Sequence, residues 1–151
     1  MKKVVVLALA LVAAACSALG RQAFLEPVVN LRDVNVKGLG LSGGQLEVQL
    51  SVYNPNSFRL DATRLTYRVF VGDSVGLATG ALDTQTTMQA SDSTIVTIPV
   101  SFTYAGLGAA ARQILQTGSV NYRVAGDVTV GSVIGNFTVP YSATGRFDTM
   151  R

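Results

Sequence analysis

The chain has no histidine and a single cysteine, so most of the side chains that perform nucleophilic or metal chemistry are missing. Without histidine, neither a serine–histidine nor a cysteine–histidine nucleophile pair can form. Transition-metal sites lack their usual ligands, and the nine acidic residues are spread singly, unlike a calcium loop. Beyond the first three residues the only lysine is Lys37, and its place beside a glycine-rich segment gives no sign of burial. We therefore predict a protein that is not an enzyme and that holds no metal.

The cysteine follows an apolar N-terminal segment. Met1-Lys2-Lys3 is a short basic start, Val4 to Ala15 is an uninterrupted apolar run, and small residues stand directly before Cys16. This order is typical of a secretory signal peptide. It also resembles the lipobox at which a bacterial lipoprotein is acylated on cysteine and cleaved, although Ala13 stands where leucine is usual. We predict a signal peptide over residues 1–15 and lipid attachment at Cys16, with no cofactor other than that covalent lipid.

Two other interpretations of this segment stay open. An uncleaved membrane anchor needs about 20 apolar residues, whereas the uncharged stretch from Val4 to Gly20 has 17 and is rich in alanine. An ordinary signal peptide could also carry Cys16 by coincidence. We prefer the lipoprotein interpretation.

Removal of the leader would leave a nearly neutral protein of 136 residues. Two of the twelve basic residues go with the leader, so ten scattered basic side chains balance nine acidic ones. This balance argues against a nucleic-acid partner. Residues 16–25 are predicted to be a lipidated tether, and the ten residues from Ser17 to Glu26 reach about 33–36 Å at most. Because Ser17 is not the aspartate that commonly retains lipoproteins in the inner membrane, we expect the outer membrane, on its periplasmic face.

Apolar and polar residues alternate along most of residues 26–151, which predicts antiparallel strands with one buried face. Clusters of Gly, Asn, Asp and Ser separate these segments, as turns require. Pro99 should place its strand at a sheet edge or at a bulge. The predicted strands are Val29–Val36, Gln45–Tyr53, Arg64–Val71, Val75–Leu82, Val96–Phe102, Val120–Val130 and Phe137–Tyr141.

One segment has apolar residues three and four positions apart, which predicts a helix that ends before Gly118. These residues are Leu107, Ala110, Ala111, Ile114 and Leu115. We predict a single all-β domain over residues 26–151. It should be a two-sheet antiparallel β-sandwich of the immunoglobulin or fibronectin-III kind, with about seven strands and a short helix covering one open end.

Gly38, Gly40 and Gly43 have the spacing of a dinucleotide-binding loop. That loop needs a helix after it, because the helix N-terminus holds the pyrophosphate. The segment that follows is instead the clearest predicted strand, so we interpret the glycines as a β-hairpin. Arg59, Arg64 and Arg68 could form a basic stripe for anionic lipid headgroups, but a solvated outer face is the simpler interpretation.

The segment Asn54-Pro55-Asn56 is a strong turn signal. Proline ends the preceding strand, and asparagine tolerates turn conformations while bonding to nearby backbone. We interpret Asn54, Pro55 and Asn56 as a structural turn in preference to a ligand site.

Several segments in order resemble the water-stress and hypersensitive-response domain, which is the LEA14-like group of late embryogenesis abundant proteins. The resemblance covers residues 26–147. The segments are Pro27–Val36, the glycine hairpin, the strand into Asn54-Pro55-Asn56, Tyr67 with Val69, Gly76–Gly80, Ile98–Val100, Tyr122–Gly126, Phe137–Tyr141 and Gly145–Phe147. The resemblance implies a β-sandwich with one helix, a link to desiccation and other stress, and no active site.

Together these features predict a membrane-anchored, non-catalytic lipoprotein that protects envelope or client proteins under stress. Two alternatives stay open. The domain could carry a lipid or another hydrophobic ligand in a groove beneath the helix, or it could be a structural subunit of an envelope complex. The sequence does not indicate an oligomeric state.

Overall fold

The computed structural model describes residues 24–72, 75–83 and 85–148, apart from the side chains of residues 109, 114 and 115. The predicted signal peptide, Cys16 and most of the predicted tether lie outside the described residues. Within them the chain forms eight strands and one helix. In chain order these are β1 (Val28–Leu39), β2 (Gly43–Tyr53), β3 (Leu60–Val71), β4 (Val75–Leu82), β5 (Thr86–Met88), β6 (Ser93–Thr103), α1 (Tyr104–Thr117), β7 (Ser119–Ser132) and β8 (Gly135–Asp148).

The strands form two antiparallel sheets, which confirms the predicted two-sheet sandwich. One sheet has the order β1-β2-β6, the other has the order β4-β3-β7-β8, and β5 pairs with the start of β3. The edge strands face each other across the sandwich, since β1 contacts β8 and β6 contacts β4. The eighth strand is β5, whose three residues are too few to show a period of two.

The core lies between the sheets and consists of alternate residues of the long strands. In the smaller sheet, for example, Leu50 is opposite Val96 and Val48 is opposite Ile98, and all four are buried. Burying one aliphatic side chain of this size contributes about 1.5–3 kcal/mol. The buried apolar side chains of this alternating pattern, which predicted the strands, therefore also provide the main stabilisation of the domain.

Pro99 lies on β6, an edge strand of the smaller sheet, as predicted. It is opposite Glu47, and the β2–β6 ladder continues through this pair without a bulge. An edge strand tolerates proline because its outer side has no neighbouring strand that needs a hydrogen bond from a backbone N–H.

The predicted helix is confirmed, and it covers one end of the sandwich. Its Ala110 packs in a small buried cluster with Val71 and Val120, at the end of β3 and the start of β7. Gly118 follows the last helical residue with a φ of 69°, the left-handed conformation that commonly ends a helix.

The glycine-rich segment is a β-hairpin between β1 and β2, as predicted. The Gly40 N–H donates to the Gly43 carbonyl oxygen at 2.8 Å. A Cβ atom on Gly43 would lie 2.0 Å from the carbonyl oxygen of Phe102. Gly43 is therefore required by the close approach of β6, which is a structural need unrelated to phosphate binding.

Candidate functional site

Asn54 is fully buried, and its side-chain amide joins three parts of the chain. The Nδ2 group donates to the carbonyl oxygens of Phe58 at 2.9 Å, Met88 at 3.2 Å and Gln89 at 3.1 Å. The Asn54 Oδ1 atom accepts from the Asn56 backbone N–H and from the Asn56 Nδ2 group, both at 3.0 Å. Through these hydrogen bonds, Asn54 therefore connects the turn to the end of β5.

Asn56 is 2% exposed and connects this turn to the start of the described chain. Its Nδ2 group donates to the Leu25 carbonyl oxygen and its Oδ1 atom accepts from the Leu25 N–H, both at 2.7 Å. The two bonds, one donated and one accepted by the side chain, have the pattern found between paired residues of neighbouring strands. The side-chain amides of Asn54 and Asn56 are thus used by the chain's own backbone.

Phe24 lies at the same end of the sandwich. Its ring stacks on Phe137 of β8, with ring centroids 3.9 Å apart and an interplanar angle of 7°. Leu25 and Phe24, the last part of the predicted tether, therefore contact the domain directly. We call this end the entry end of the domain, defined by Phe24, Leu25, Asn56 and Phe137.

An apolar cavity of about 160 Å³ lies between the sheets at the opposite end. Its wall includes Phe102 of β6 and Leu107 of the helix, and it contains no polar surface. Two of its lining residues are exposed, Val36 of β1 at 51% and Phe147 of β8 at 38%. Since β1 and β8 are facing edge strands, the cavity opens between them.

Tyr122 also lines this cavity, and burial raises its pKa, with a smaller contribution from Asp33. Tyr141 lies deeper between the sheets. Burial raises the pKa of Tyr141 as well, and Asp127 and Tyr67 add to the effect. The Tyr141 hydroxyl donates to the Thr66 carbonyl oxygen at 2.8 Å. Both phenols are neutral at physiological pH, so neither places a charge in the interior.

Two of the three arginines that could form a basic stripe, Arg59, Arg64 and Arg68, are in ion pairs. Arg59 lies 3.1 Å from Asp61 and Arg64 lies 2.7 Å from Asp83, and all four side chains are well exposed. Exposed pairs of this kind stabilise a fold only weakly. They do, however, neutralise two of the three arginines locally, which favours the interpretation of a solvated face.

The described residues contain neither a metal-binding cluster nor a membrane-spanning helix. No group of three or more acidic, histidine or cysteine side chains there could hold a metal ion. The helix that the structure describes is not long and apolar enough to cross a membrane. Cys16, the predicted site of lipid attachment, lies outside these residues.

Sequence reasoning identified the asparagine turn but not its partners. The partners are far from the turn in the sequence: they are Leu25, Met88 and Gln89. A local sequence pattern does not predict a hydrogen bond between residues so far apart in the chain. A groove beneath the helix was an open alternative, because alternation marks which residues face inward and not how completely they fill the space; the cavity lies at this place.

Curated relatives and solved structures resemble most of this chain. It is 26% identical over 122 residues to the late embryogenesis abundant protein Lea14-A of Gossypium hirsutum, covering 80% of each protein. It is 28% identical over 124 residues to the desiccation protectant protein Lea14 homolog of Glycine max, again covering 80% of each. The solution structure of AT1g01470 from Arabidopsis thaliana has the same fold, with a TM-score of 0.70, 24% identity and 83% of each chain covered. A crystal structure of a protein from Archaeoglobus fulgidus is more distant, with a TM-score of 0.52, 15% identity and coverage of 80% of this chain and 98% of the other.

The family described as late embryogenesis abundant protein matches residues 49–145. This range begins within β2, includes the asparagine turn and the helix, and ends within β8. It spans more than half of the chain. The resemblance seen in the sequence is thereby confirmed at the level of the family: the chain belongs to the late embryogenesis abundant proteins, in their LEA14-like form.

Proposed function

We propose that the chain is a non-catalytic bacterial lipoprotein, anchored through Cys16 to the periplasmic face of the outer membrane, that protects the envelope or its proteins during desiccation. Family membership is the observation that carries the stress role, and the relative from Glycine max is named a desiccation protectant. The leader sequence supports the anchor. Attachment through several acyl chains would make detachment rare, because each buried CH₂ group contributes about 0.8 kcal/mol.

The protective mechanism would be weak contact between folded surfaces as water is withdrawn. Exposed ion pairs, such as Arg64 with Asp83 at 2.7 Å, leave part of the surface polar with its charges paired. Such a surface offers hydrogen bonds to many partners without strong attraction to any one. The partners on this proposal are headgroups and client proteins.

The anchor is tested by the mass of the N-terminal peptide of the protein purified from membranes. We expect cleavage before Cys16 and acylation of its sulfur, whereas Cys16→Ser should release the folded domain from the membrane. Ser17→Ala is the matched control and should leave attachment unchanged. An intact leader with a free thiol would contradict the anchor.

The protective role is tested separately by drying. Cells that produce the natural chain should keep more envelope integrity after drying than cells that produce Cys16→Ser at equal amounts. In solution, the chain from Cys16 onward should preserve a labile enzyme through drying better than an equal mass of an inert protein. Equal loss of envelope integrity in the first comparison and of enzyme activity in the second would contradict the stress role. That result would leave the proposed lipid attachment at Cys16 unaffected.

The apolar cavity favours a second candidate function, the binding or transfer of a hydrophobic ligand. The helix contributes Leu107 to the cavity wall, which is the arrangement this alternative requires. A cavity of about 150 Å³ with an apolar lining can take up a ligand of benzene size. The cavity would therefore accept about six carbons of an alkyl chain entering between Val36 and Phe147.

A series of 1-alkanols tests this candidate. The affinity should rise about fourfold for each added CH₂ up to about six carbons and then level off. Val36→Trp should block the opening and weaken binding, whereas Val133→Trp, at the other end of the domain, should not. Affinity that is independent of chain length, or equal in the two variants, would exclude the cavity as the site.

A further inference from the structure

The turn between β7 and β8 presents two adjacent apolar side chains to solvent at the entry end. Val133 is 84% exposed and Ile134 is 43% exposed. The turn itself is well defined: the Ser132 hydroxyl donates to the Gly135 carbonyl oxygen at 2.9 Å and accepts from the Ile134 N–H at 3.2 Å. We call Ser132–Gly135 the β7–β8 tip. Most of the Val133 side chain and part of the Ile134 side chain are therefore open to solvent.

The β7–β8 tip lies beside the point where the chain enters the domain. Phe137, two residues after the tip, stacks on Phe24, and Leu25 is also exposed at this end. Arg59 and its ion-pair partner Asp61 line a shallow groove next to Val133, so the charges of this groove are paired. Exposed apolar side chains at the end where the tether joins the domain gain free energy when they enter the boundary between headgroups and acyl chains.

The opposite end of the domain is also apolar, since Leu41 at the tip of the β1–β2 hairpin is fully exposed. The length of the tether determines which of the two ends can face the membrane. From Cys16 to Phe24 there are eight residue steps, which reach about 26–29 Å when fully extended. The strand β8 alone is 14 residues long, or about 45 Å. A tether of that length is too short for the domain to stand upright with its Leu41 end against the membrane.

We infer that the β7–β8 tip is a second membrane contact, in which Val133 and Ile134 enter the headgroup region and orient the domain so that its cavity lies at the end away from the bilayer. This inference rests on the proposed attachment at Cys16. The covalent lipid supplies the affinity, and the tip fixes the orientation. The domain would then stand with β8 roughly along the membrane normal and present the Leu41 hairpin to the periplasm.

The chain has no tryptophan, so a single introduced tryptophan reports on one position. We would prepare the chain from Cys16 onward, which retains all the described elements, as Val133→Trp and as the matched control Leu41→Trp. Both positions are exposed, so neither change alters the core. Each variant is coupled through Cys16 to a maleimide lipid in phosphatidylcholine vesicles with or without brominated acyl chains.

Brominated lipid should quench the emission of Val133→Trp and leave that of Leu41→Trp unchanged, and only the first emission should shift to shorter wavelength on coupling. Equal quenching of both variants would indicate a domain lying flat, and quenching of Leu41→Trp alone or of neither would also overturn the inference. The coupling is chemical, so the result does not depend on acylation in cells. Failure of the tip and failure of the natural anchor are therefore separate outcomes.

Discussion

The side chain of Asn56 pairs with the backbone of Leu25 through two hydrogen bonds of 2.7 Å, one in each direction. The two residues are 31 positions apart. The pair therefore fixes the place at which the chain leaves the domain, and with it the direction from which any N-terminal attachment acts. It also connects the asparagine turn, a feature within the matched family range, to a position outside that range.

Asn56→Ala should release Leu25 while leaving the core intact. The change removes two hydrogen bonds to the partly buried backbone of Leu25 and the bond from Asn56 Nδ2 to Asn54 Oδ1, which corresponds to a loss of about 1–3 kcal/mol in the free energy of unfolding. Hydrogen exchange should become faster at the Leu25 amide and stay slow at Leu50 and Ile98. Asn30→Ala, an exposed asparagine on β1, is the control and should change stability by less than about 0.5 kcal/mol. Unaltered exchange at Leu25 would show that the pair does not hold the entry segment.

Asn54→Ala should be the more damaging substitution. It leaves the carbonyl oxygens of Met88 and Gln89, and that of Phe58, without the amide that now binds them. A buried acceptor without a partner costs about 1–3 kcal/mol, and the lost bonds to the partly buried carbonyl oxygens of Phe58 and Gln89 add about 1 kcal/mol each, so we expect a total loss of roughly 3 kcal/mol or more. Denaturant unfolding followed by circular dichroism measures this loss. A loss smaller than that of Asn56→Ala would contradict the ranking.

Alternation of apolar and polar residues was sufficient to predict the sandwich, because each strand exposes one face and buries the other. The helix was also predictable, since Leu107 and Ala110 recur at helical spacing. What the sequence could not give was pairing at a distance. Asn54 and Asn56 were recognised as turn residues, but their bonds to Met88 and Leu25 depend on how the sheets pack. The cavity depends on the same packing, and β5 was too short to show a pattern.

The stacked rings of Phe24 and Phe137 should couple energetically. Offset or stacked aromatic pairs are worth about 0.5–1.5 kcal/mol beyond the area that they bury. A double-mutant cycle with Phe24→Leu and Phe137→Leu should give a coupling energy in this range. Phe24→Leu combined with Phe102→Leu, at the other end of the sandwich, provides the comparison and should be additive within about 0.5 kcal/mol. Coupling of equal size in both cycles would mean that the effect is not local to the stack.

Two glycines of the β1–β2 hairpin should respond differently to alanine. A Cβ atom on Gly43 would meet the Phe102 carbonyl oxygen at 2.0 Å, whereas one on Gly38 would have no neighbour within 4 Å. Gly43→Ala therefore forces β2 and β6 apart and should destabilise the protein by about 1–3 kcal/mol, as overpacking does. Gly38→Ala should be close to neutral or slightly stabilising, because it restricts the unfolded chain. Thermal unfolding of the two variants measures the difference, and equal melting temperatures would refute the steric argument.

Alkaline conditions should destabilise the protein through Tyr141, which is buried, and Tyr122, which is partly buried. The pKa of Tyr141 and that of Tyr122 are both raised in the folded state, chiefly by burial. A raised folded pKa means that the stabilisation is fully present below pH 10, the unfolded value, and is lost as the pH rises through the folded pKa. The free energy of unfolding should therefore be constant near neutrality and fall above pH 10. Tyr141→Phe removes the hydrogen bond to Thr66, which costs about 1 kcal/mol at pH 7, but it should make the alkaline decline less steep. Denaturant titrations from pH 7 to pH 12 compare the two proteins, and parallel declines would show that Tyr141 is not responsible.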